Sequence, residues 1–486
     1  MNREIAGEGG FGCVLKPSLH CLTQPSPKFN YDNYVSKIMK TKNAKTELNE
    51  FKIIGALDRT NEYHLGKPIL CRPNLNEPNV KRDIDKCKRI KYSEIKTDPL
   101  NYSLLVLKDG GPDLKAFCND YLTKYLSTYK QKKTDEFWLE AHHLIRGLQF
   151  FKDQGMVHYD IKPQNILFDL KNGSMKYIDF GMMKSKAQII ENSKNNRNGS
   201  AIFHWSYPFD TGFMNKEMFD LYKTSQHKNN IKLSLTEMII SDSKLNKYDL
   251  PIRKPQAFKI LFTYLNPDDK VPDSETQYGY INSFFSGFNS LLSEYNYNEI
   301  LNRFTDSIDI FGLGFTLQYL TNCFKRHDAL SLEDFTRLTV FFEKMYDFNP
   351  KTRVIDIDQL LTEYENILLQ MGVLTRLNKS FENHVLYNHD LTHIHSFVLK
   401  NGKNSIDHLS AELNEFANLD PIALTKKCPQ EKELNPINKR CVNKCKPGFS
   451  RNSKFQCKKN KTTKHTLTTF KSRSKSRSKS RRRNRK

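Results

Sequence analysis

The stretch that decides the fold reads His158-Tyr159-Asp160-Ile161-Lys162-Pro163-Gln164-Asn165, and Asp179-Phe180-Gly181 follows fourteen residues after it. Two β-prone pieces, 165–168 and 175–178, lie between them around an Asn-Gly pair, which is typical of a β-hairpin. Such a hairpin brings Asn165 and Asp179 side by side, and amide and carboxylate oxygens are ligands that Mg²⁺ prefers. Asp160 is then free to accept the proton of a substrate hydroxyl.

The N-terminal stretch is rich in glycine and reads Gly7-Glu8-Gly9-Gly10-Phe11-Gly12-Cys13-Val14. Glycines let backbone N–H groups approach a phosphate without interference from a Cβ atom. The spacing alone is equally typical of a glycine-rich hairpin. A dinucleotide-binding fold would need a helix directly after the glycines, whereas a second β-prone piece follows here.

A lysine on the next predicted strand is a candidate phosphate ligand. Lys37 lies within the apolar strand 34–39, and an amphipathic helix is predicted from Ala44 to Leu57. A glutamate on that helix would pair with Lys37 and hold it against the α- and β-phosphates. We predict Glu50 as this partner, with Glu47 as the alternative; either could also be an ordinary surface charge.

A third predicted strand, residues 103–107, ends in a turn-rich connector at 108–114. The backbone near Leu107 would there meet an adenine edge, although an ordinary strand end fits the local sequence equally well. Residues 73–101 are predicted to form a loop inserted between strands, and residues 137–152 an amphipathic helix.

These pieces, in this order, resemble the catalytic domain of eukaryotic-type Ser/Thr protein kinases over residues 1 to about 372. Two later stretches, Asp309 to Gly314 and Asn349 to Arg353, are similar to elements of the same family. The resemblance implies an α+β, bilobal kinase-like fold. Its small antiparallel β lobe with one helix would span residues 1–107, and its large, mainly helical lobe residues 108–372, with an insert at about 211–300.

The resemblance also implies ATP as the phosphoryl donor, Mg²⁺ as the metal (with Mn²⁺ as the alternative) and protein hydroxyls as acceptors. Asp160 would be the catalytic base, Lys162 would steady the γ-phosphate, and Asn165 with Asp179 would hold the metal. Lys162-Pro163 resembles the Ser/Thr class rather than the tyrosine class. The nucleotide-binding residues would be Gly7, Gly9, Gly10, Phe11, Gly12, Val14, Lys37, Glu50 and Leu107.

Three departures from the family pattern stand out. Tyr159 replaces an arginine that grips a phosphorylated activation segment in many kinases, which favours constitutive activity. Phe209 replaces the usual glutamate partner of Arg353, for which Asp210 could substitute. The 211–300 insert is either a docking element or a structural elaboration. A pseudokinase scaffold, which binds nucleotide without turnover, is the alternative function, and a small-molecule kinase is a more distant one.

The basic charge of the chain is concentrated at its C-terminal end. The net charge is +23. Residues 426–486 hold 23 Lys and Arg against two Glu, a net charge of +21, which leaves +2 for residues 1–425. The basic balance therefore belongs to the tail.

The C-terminal part is predicted to comprise a helical extension and linker (373–425), a cysteine-marked module (426–457) and a disordered basic tail (458–486). The module's residues 428–441 resemble the two-cysteine adaptor domain of large cytoplasmic DNA viruses of the iridovirus type. That resemblance implies viral target proteins as partners and a viral origin. A zinc site of Cys428, Cys441, Cys445 and Cys457 is the alternative. The tail is predicted to bind nucleic acid non-specifically, with nuclear targeting or solubilisation as alternatives.

The sequence shows no apolar run of membrane-spanning length and no secretory signal. We therefore expect an intracellular protein of the host cytoplasm or nucleus, with virion association as a further option. On the same grounds, the ten cysteines are expected to be mostly reduced.

Overall fold

The computed structural model describes residues 3–8, 12–23, 29–196, 202–224, 228–241 and 248–380, together with 432–434, 441–443, 449–451 and 456–459. The chain divides into two compact units, Met1–Ser410 and Ala411–Lys486. The first unit contains an antiparallel sheet followed by a large helical region. This arrangement confirms the predicted α+β class.

The N-terminal sheet has five antiparallel strands in the order β1-β2-β3-β5-β4. They are β1 (Glu4–Glu8), β2 (Gly12–Lys16), β3 (Tyr34–Lys40), β4 (Ile69–Cys71) and β5 (Tyr102–Lys108), and helix α1 (Thr41–Leu57) follows β3. Side chains alternate between the two faces of the sheet. Met39 and Leu105 pack with Ala44 of α1 on one face, and Leu15 and Ile38 belong to a separate core on the other.

Residues 73–101 cover this second face of the sheet and contribute to its core. They contain two short helices, α2 (Val80–Asp85) and α3 (Tyr92–Thr97), so the prediction of a plain loop is wrong here. Ile84 and Ile95 are fully buried against the strand residues. The segment carries few apolar residues for its length, and these become buried only when the segment packs on the sheet, so local periodicity did not reveal the helices.

Two disulfides crosslink the small lobe, and one of them joins residues 73–101 to the sheet. Cys13 on β2 is bonded to Cys87, and Cys21 is bonded to Cys71 on β4. Each pair is separated by many residues in sequence, 74 and 50 respectively, and meets only through the fold. The expectation of mostly reduced cysteines is therefore wrong.

The large lobe surrounds one long buried helix. Its helices are α4 (Leu114–Ala116), α5 (Leu122–Leu126), α6 (Lys130–Asp153), α7 (Lys186–Lys194), α8 (Lys216–Thr224), α9 (Lys228–Ile240), α10 (Phe258–Leu265), α11 (Ser274–Glu294), α12 (Tyr297–Arg326), α13 (Leu332–Tyr346), α14 (Ile357–Gln370) and α15 (Val373–Ser380). Its strands are β6 (Met156–Val157), β7 (Ile166–Asp169), β8 (Ser174–Tyr177) and β9 (Lys184–Ser185). Helix α12 is buried on all sides over most of its length, as expected for a central core helix.

The 211–300 insert is folded onto this core. It contains α8 to α11, which confirms the helical patterning predicted for it. Its inner face is aromatic: the rings of Phe213, Tyr222, Phe284 and Phe288 pack on one another. Across the described part of the chain, no helix combines the length and apolarity needed to cross a membrane.

The second unit shows two antiparallel strand pairs. They are β10 (Lys432–Leu434) with β11 (Cys441–Asn443), and β12 (Phe449–Arg451) with β13 (Cys457–Lys459). Cys457 is disulfide-bonded, and a disulfide sulfur does not serve as a zinc ligand, so a four-cysteine zinc site that includes it is wrong. Cys428, Cys445 and the basic tail beyond residue 459 lie outside the described residues.

Candidate active site

The catalytic loop, residues 158–165, converges on one carboxylate. The Lys162 ammonium donates to Asp160 Oδ2 at 2.6 Å, and the Asn165 amide nitrogen donates to the same oxygen at 2.9 Å and to the Asp160 carbonyl at 2.8 Å. Asp160 is 9 % exposed. The carboxylate is therefore fixed by two donors while one edge still reaches the surface.

The central helix α12 holds the catalytic loop through hydrogen bonds to Asp309. Asp309 on α12 accepts hydrogen bonds from the backbone N–H groups of His158 (2.6 Å) and Tyr159 (2.8 Å). Tyr159 has a positive φ of 71°, an unusual conformation for a bulky residue that these two bonds help to hold. Burial raises the pKa of Asp309 to about 7, although both backbone bonds act in the opposite direction.

The β7–β8 hairpin brings the two predicted metal ligands together. Ile178 N–H donates to the Asn165 carbonyl at 3.0 Å, so Asp179, the next residue in the chain, lies close to Asn165. Asp179 has a φ of 63°, which turns the chain into the one-turn helix Phe180–Met182. The Asn165 amide nitrogen donates to Asp160, so the amide oxygen of Asn165 is the atom that can coordinate a cation. An amide oxygen beside a carboxylate is a donor set that fits Mg²⁺ or Mn²⁺.

The partner of Lys37 differs from the preferred prediction. The Lys37 ammonium donates to Glu47 Oε2 at 2.6 Å, and Glu47 is the residue that the sequence offered only as the alternative. Glu50 lies instead beside Gly181, where a Cβ atom would be 3.2 Å from Glu50 Oε2 and 3.4 Å from Asp179 Oδ1. Burial, followed by the charges of Glu47 and Asp179, raises the pKa of Glu50. Glu47 and Glu50 thus share one face of α1, and Glu47, which is nearer to the start of the helix, contacts Lys37.

The glycine-rich stretch forms the facing ends of β1 and β2, where Gly7 pairs with Val14. Val14 in turn pairs with Lys37 on β3, which brings the three strands of the predicted nucleotide site together. A Cβ atom on Gly12 would lie 2.8 Å from the Ile38 carbonyl, so this glycine is required for strand packing as well. Gly9, Gly10 and Phe11 lie outside the described residues.

The end of β5 lies beside β3 in the same sheet. Leu107 is half-buried and pairs with Val35 on β3. Just beyond it, the Asp109 carboxylate forms an ion pair with the Lys16 ammonium at 2.8 Å, joining the end of β2 to the connector between the lobes. Nothing in the local spacing of the sequence links residues 16 and 109, so this ion pair was not predicted.

Two residues of the activation segment, which we define as residues 181–210, also reach Asp160 and were not predicted. The Ser206 hydroxyl donates to Asp160 Oδ1 at 3.4 Å, and His204 Nδ1 lies 2.8 Å from the same hydroxyl. Burial lowers the pKa of His204 to about 4, so the imidazole is neutral near pH 7. The neighbouring Tyr207 packs edge-on against Tyr159 at 5.2 Å.

The end of the activation segment is fixed by a buried ion pair. Arg353 Nη1 lies 2.5 Å from Asp210 Oδ2, and Arg353 Nη2 lies 3.2 Å from Asp210 Oδ1. This confirms that Asp210 substitutes for the glutamate that Phe209 replaces. Phe209 itself is buried among aromatic rings, including Phe258 and Phe284.

Comparison with known proteins matches part of the chain to a known family. Residues 77–204, about a quarter of the chain, match the family described as the protein kinase domain. The chain is similar to eukaryotic-type protein kinases. Asp160, Lys162, Asn165 and Asp179 fall within the matched residues, whereas Lys37 precedes them.

Several curated relatives match over short segments. The chain is 50% identical over 44 residues to the MAP kinase kinase kinase SSK2 of Saccharomyces cerevisiae, which covers 9% of this chain and 3% of that protein. It is 28% identical over 125 residues to the human SNF-related serine/threonine-protein kinase (26% and 14%). It is 26% identical over 132 residues to the serine/threonine-protein kinase atg1 of Dictyostelium discoideum (22% and 20%). The chain thus spans a fifth or less of the length of each of these relatives.

Proposed function

We propose that this protein is a Ser/Thr protein kinase that transfers the γ-phosphoryl group of ATP to protein hydroxyls. The observation that carries the proposal is the Asp160 carboxylate, held by Lys162 and Asn165 with Asp179 alongside. The family match over residues 77–204 supports it. A divalent cation, when bound, would neutralise charge on the transferring phosphoryl group and its leaving group.

The chain's own residues would position and polarise the reactants. Lys37 would hold the α- and β-phosphates, and Asn165 and Asp179 would hold the metal. The substrate hydroxyl oxygen would attack the γ-phosphorus as the bond to ADP breaks, and Asp160 would take the hydroxyl proton. Lys162, already paired with Asp160, would face the γ-phosphate. We further propose constitutive activity. Many kinases have an arginine at the position of Tyr159 that binds a phosphorylated activation segment, whereas Tyr159 packs against the ring of Tyr207.

The test is phosphate transfer from labelled ATP to a panel of acidic, neutral and basic peptides, each with Ser, Thr or Tyr as acceptor. We expect transfer to Ser and Thr, and Asp160→Asn should lower kcat by roughly 10²- to 10⁴-fold. Asp153→Asn, an exposed aspartate at the end of α6, is the matched control and should leave kcat unchanged. Binding of ATP without transfer to any peptide would refute the proposal and favour the pseudokinase scaffold.

We also propose, on sequence grounds, that residues 428–441 recruit viral target proteins and that residues 458–486 bind nucleic acid inside an infected cell. The supports are the adaptor resemblance and the net charge of +21 over residues 426–486. The two disulfides of the small lobe count against a reducing compartment. The Cys13–Cys87 bond is nevertheless shielded from reductants, because both of its cysteines are buried. Truncation after Leu424 should abolish salt-sensitive DNA and RNA binding; unchanged binding would refute the tail's role.

A further inference from the structure

A segment of the insert lies directly against the activation segment. Residues 250–254 follow α9 and run parallel to the chain at Phe203, with Ile252 as its bridge partner. Phe203 N–H donates to the Pro251 carbonyl at 2.8 Å, and Arg253 N–H donates to the Phe203 carbonyl at 3.0 Å. Phe203 is itself fully buried. The two segments are therefore held together by backbone bonds around a buried ring.

This pairing places Arg253 near the catalytic carboxylate. From Phe203 the chain continues through His204 to Ser206, whose hydroxyl contacts Asp160 Oδ1. Three residues span at most about 11 Å of extended chain. Arg253 therefore lies at the rim of the site that a substrate hydroxyl must enter to reach Asp160.

The rim is positively charged. Arg253 and Lys254 are both exposed, and neither forms an ion pair within the described part of the chain. Burial is the main cause of the low pKa of His204. The positive charges of Lys162, Arg253 and Lys254 lower this pKa further, whereas the negative charge of Asp160 raises it. Asp160 is already bonded to Lys162, so Arg253 and Lys254 have no ion-pair partner among the residues that the structure describes.

The backbone that carries these cations is fixed. Lys254 has a φ of 45°, a left-handed conformation that is uncommon for a side chain of this kind and is kept only where neighbours enforce it. Its carbonyl accepts from Ala257 N–H at 2.8 Å in the turn Pro255–Ala257, which leads into the buried helix α10. A rigid backbone reduces the entropy lost when the two side chains bind a ligand.

We propose that Arg253 and Lys254 bind an anionic side chain of the protein substrate, a carboxylate or a phosphate, within about three residues of the phosphoacceptor, since each residue of extended chain adds about 3.4 Å. An arginine fork and a neighbouring ammonium suit both anions. The inference rests on the proposed kinase activity and deepens it: the enzyme selects acidic or already phosphorylated segments. A basic peptide such as residues 471–483 of its own tail is accordingly a poor substrate.

The experiment measures kcat/KM of the full chain on a neutral serine peptide, on versions with aspartate or phosphoserine at each of the three positions before and after the acceptor, and on a peptide of residues 471–483. We expect an anion at one or more positions to raise kcat/KM roughly five- to tenfold, and 0.5 M salt to remove most of the gain. A larger gain with phosphoserine than with aspartate would assign the site to phosphorylated substrates, and equal gains to acidic ones. The double change Arg253→Glu and Lys254→Glu should abolish the gain, whereas Lys223→Glu, at an exposed lysine on α8 of the same insert, should keep it.

A second measurement separates this inference from the proposed activity. Fluorescence anisotropy of a labelled anionic peptide reports binding with no turnover, and the double variant should bind it at least fivefold more weakly than wild type. Weaker binding by the double variant, with no phosphate transfer by any form, would refute the kinase proposal and support the anion site. Equal kcat/KM for neutral and anionic peptides, or equal binding by wild type and the double variant, would overturn the anion site.

Discussion

The buried pair of Asp210 and Arg353 makes the sharpest stability prediction. The Arg353 guanidinium is 1 % exposed and the Asp210 side chain is fully buried. Asp210 also lies 3.2 Å from the Ser307 hydroxyl on α12, so the pair ties the activation segment to the central helix. Asp210→Ala leaves a buried cation without its counter-ion, and we expect it to lower the free energy of unfolding by about 3–5 kcal/mol.

The double variant decides whether the charge is the cause. Asp210→Ala with Arg353→Met removes both charges, so the loss should be about 1–3 kcal/mol smaller than the sum of the single losses. Urea unfolding followed by circular dichroism measures each variant. Asp220→Ala breaks an exposed ion pair with Lys216 and should change stability by less than about 0.5 kcal/mol. A loss below about 1 kcal/mol for Asp210→Ala, or strictly additive losses in the double variant, would refute the reasoning.

Three further predictions follow from the active site and the small lobe. Because Glu47 holds Lys37 at 2.6 Å, Glu47→Gln should raise KM for ATP roughly tenfold more than Glu50→Gln in steady-state assays; a larger effect of Glu50→Gln would restore the prediction made from sequence. The folded-state pKa of His204, about 4, is depressed below the ordinary value of 6.5, so the unfolded chain binds this proton first and stability falls as pH drops from 6.5 to 4. His204→Gln should flatten that part of the urea-midpoint profile, and an unchanged slope would contradict the assignment. Cys87→Ser opens a crosslink across 74 residues and should cost about 2–4 kcal/mol by urea unfolding, whereas Cys323→Ser, at a free buried thiol, should cost less.

The catalytic loop and its hairpin were predictable because their chemistry depends on short spacings. One turn and one hairpin position Asp160, Asn165 and Asp179. Both elements are encoded by residues close to each other in the sequence. The choice between Glu47 and Glu50 was not predictable in the same way. Residues three apart share a helix face, so only the docking of α1 on the sheet decides which one meets Lys37.

Long-range contacts account for the other differences. Cys13 and Cys87 meet because residues 73–101 fold back over the sheet, and a cysteine's spacing in the sequence does not indicate this. Arg253 reaches the rim of the site because a parallel bridge joins the insert to Phe203, and a single bridge leaves no periodic pattern. Asp210 was predictable as the substitute for a missing glutamate because Arg353 requires a buried anion close to the usual position.

The two disulfides of the small lobe have a consequence for how the chain responds to cleavage. The Cys21–Cys71 bond closes a ring that includes Lys37 and all of α1, and the Cys13–Cys87 bond encloses that ring within a larger one. A single cut between residues 22 and 70 therefore leaves both pieces covalently attached. Such a nicked chain would migrate as one species on a denaturing gel without reductant and would separate into two after reduction.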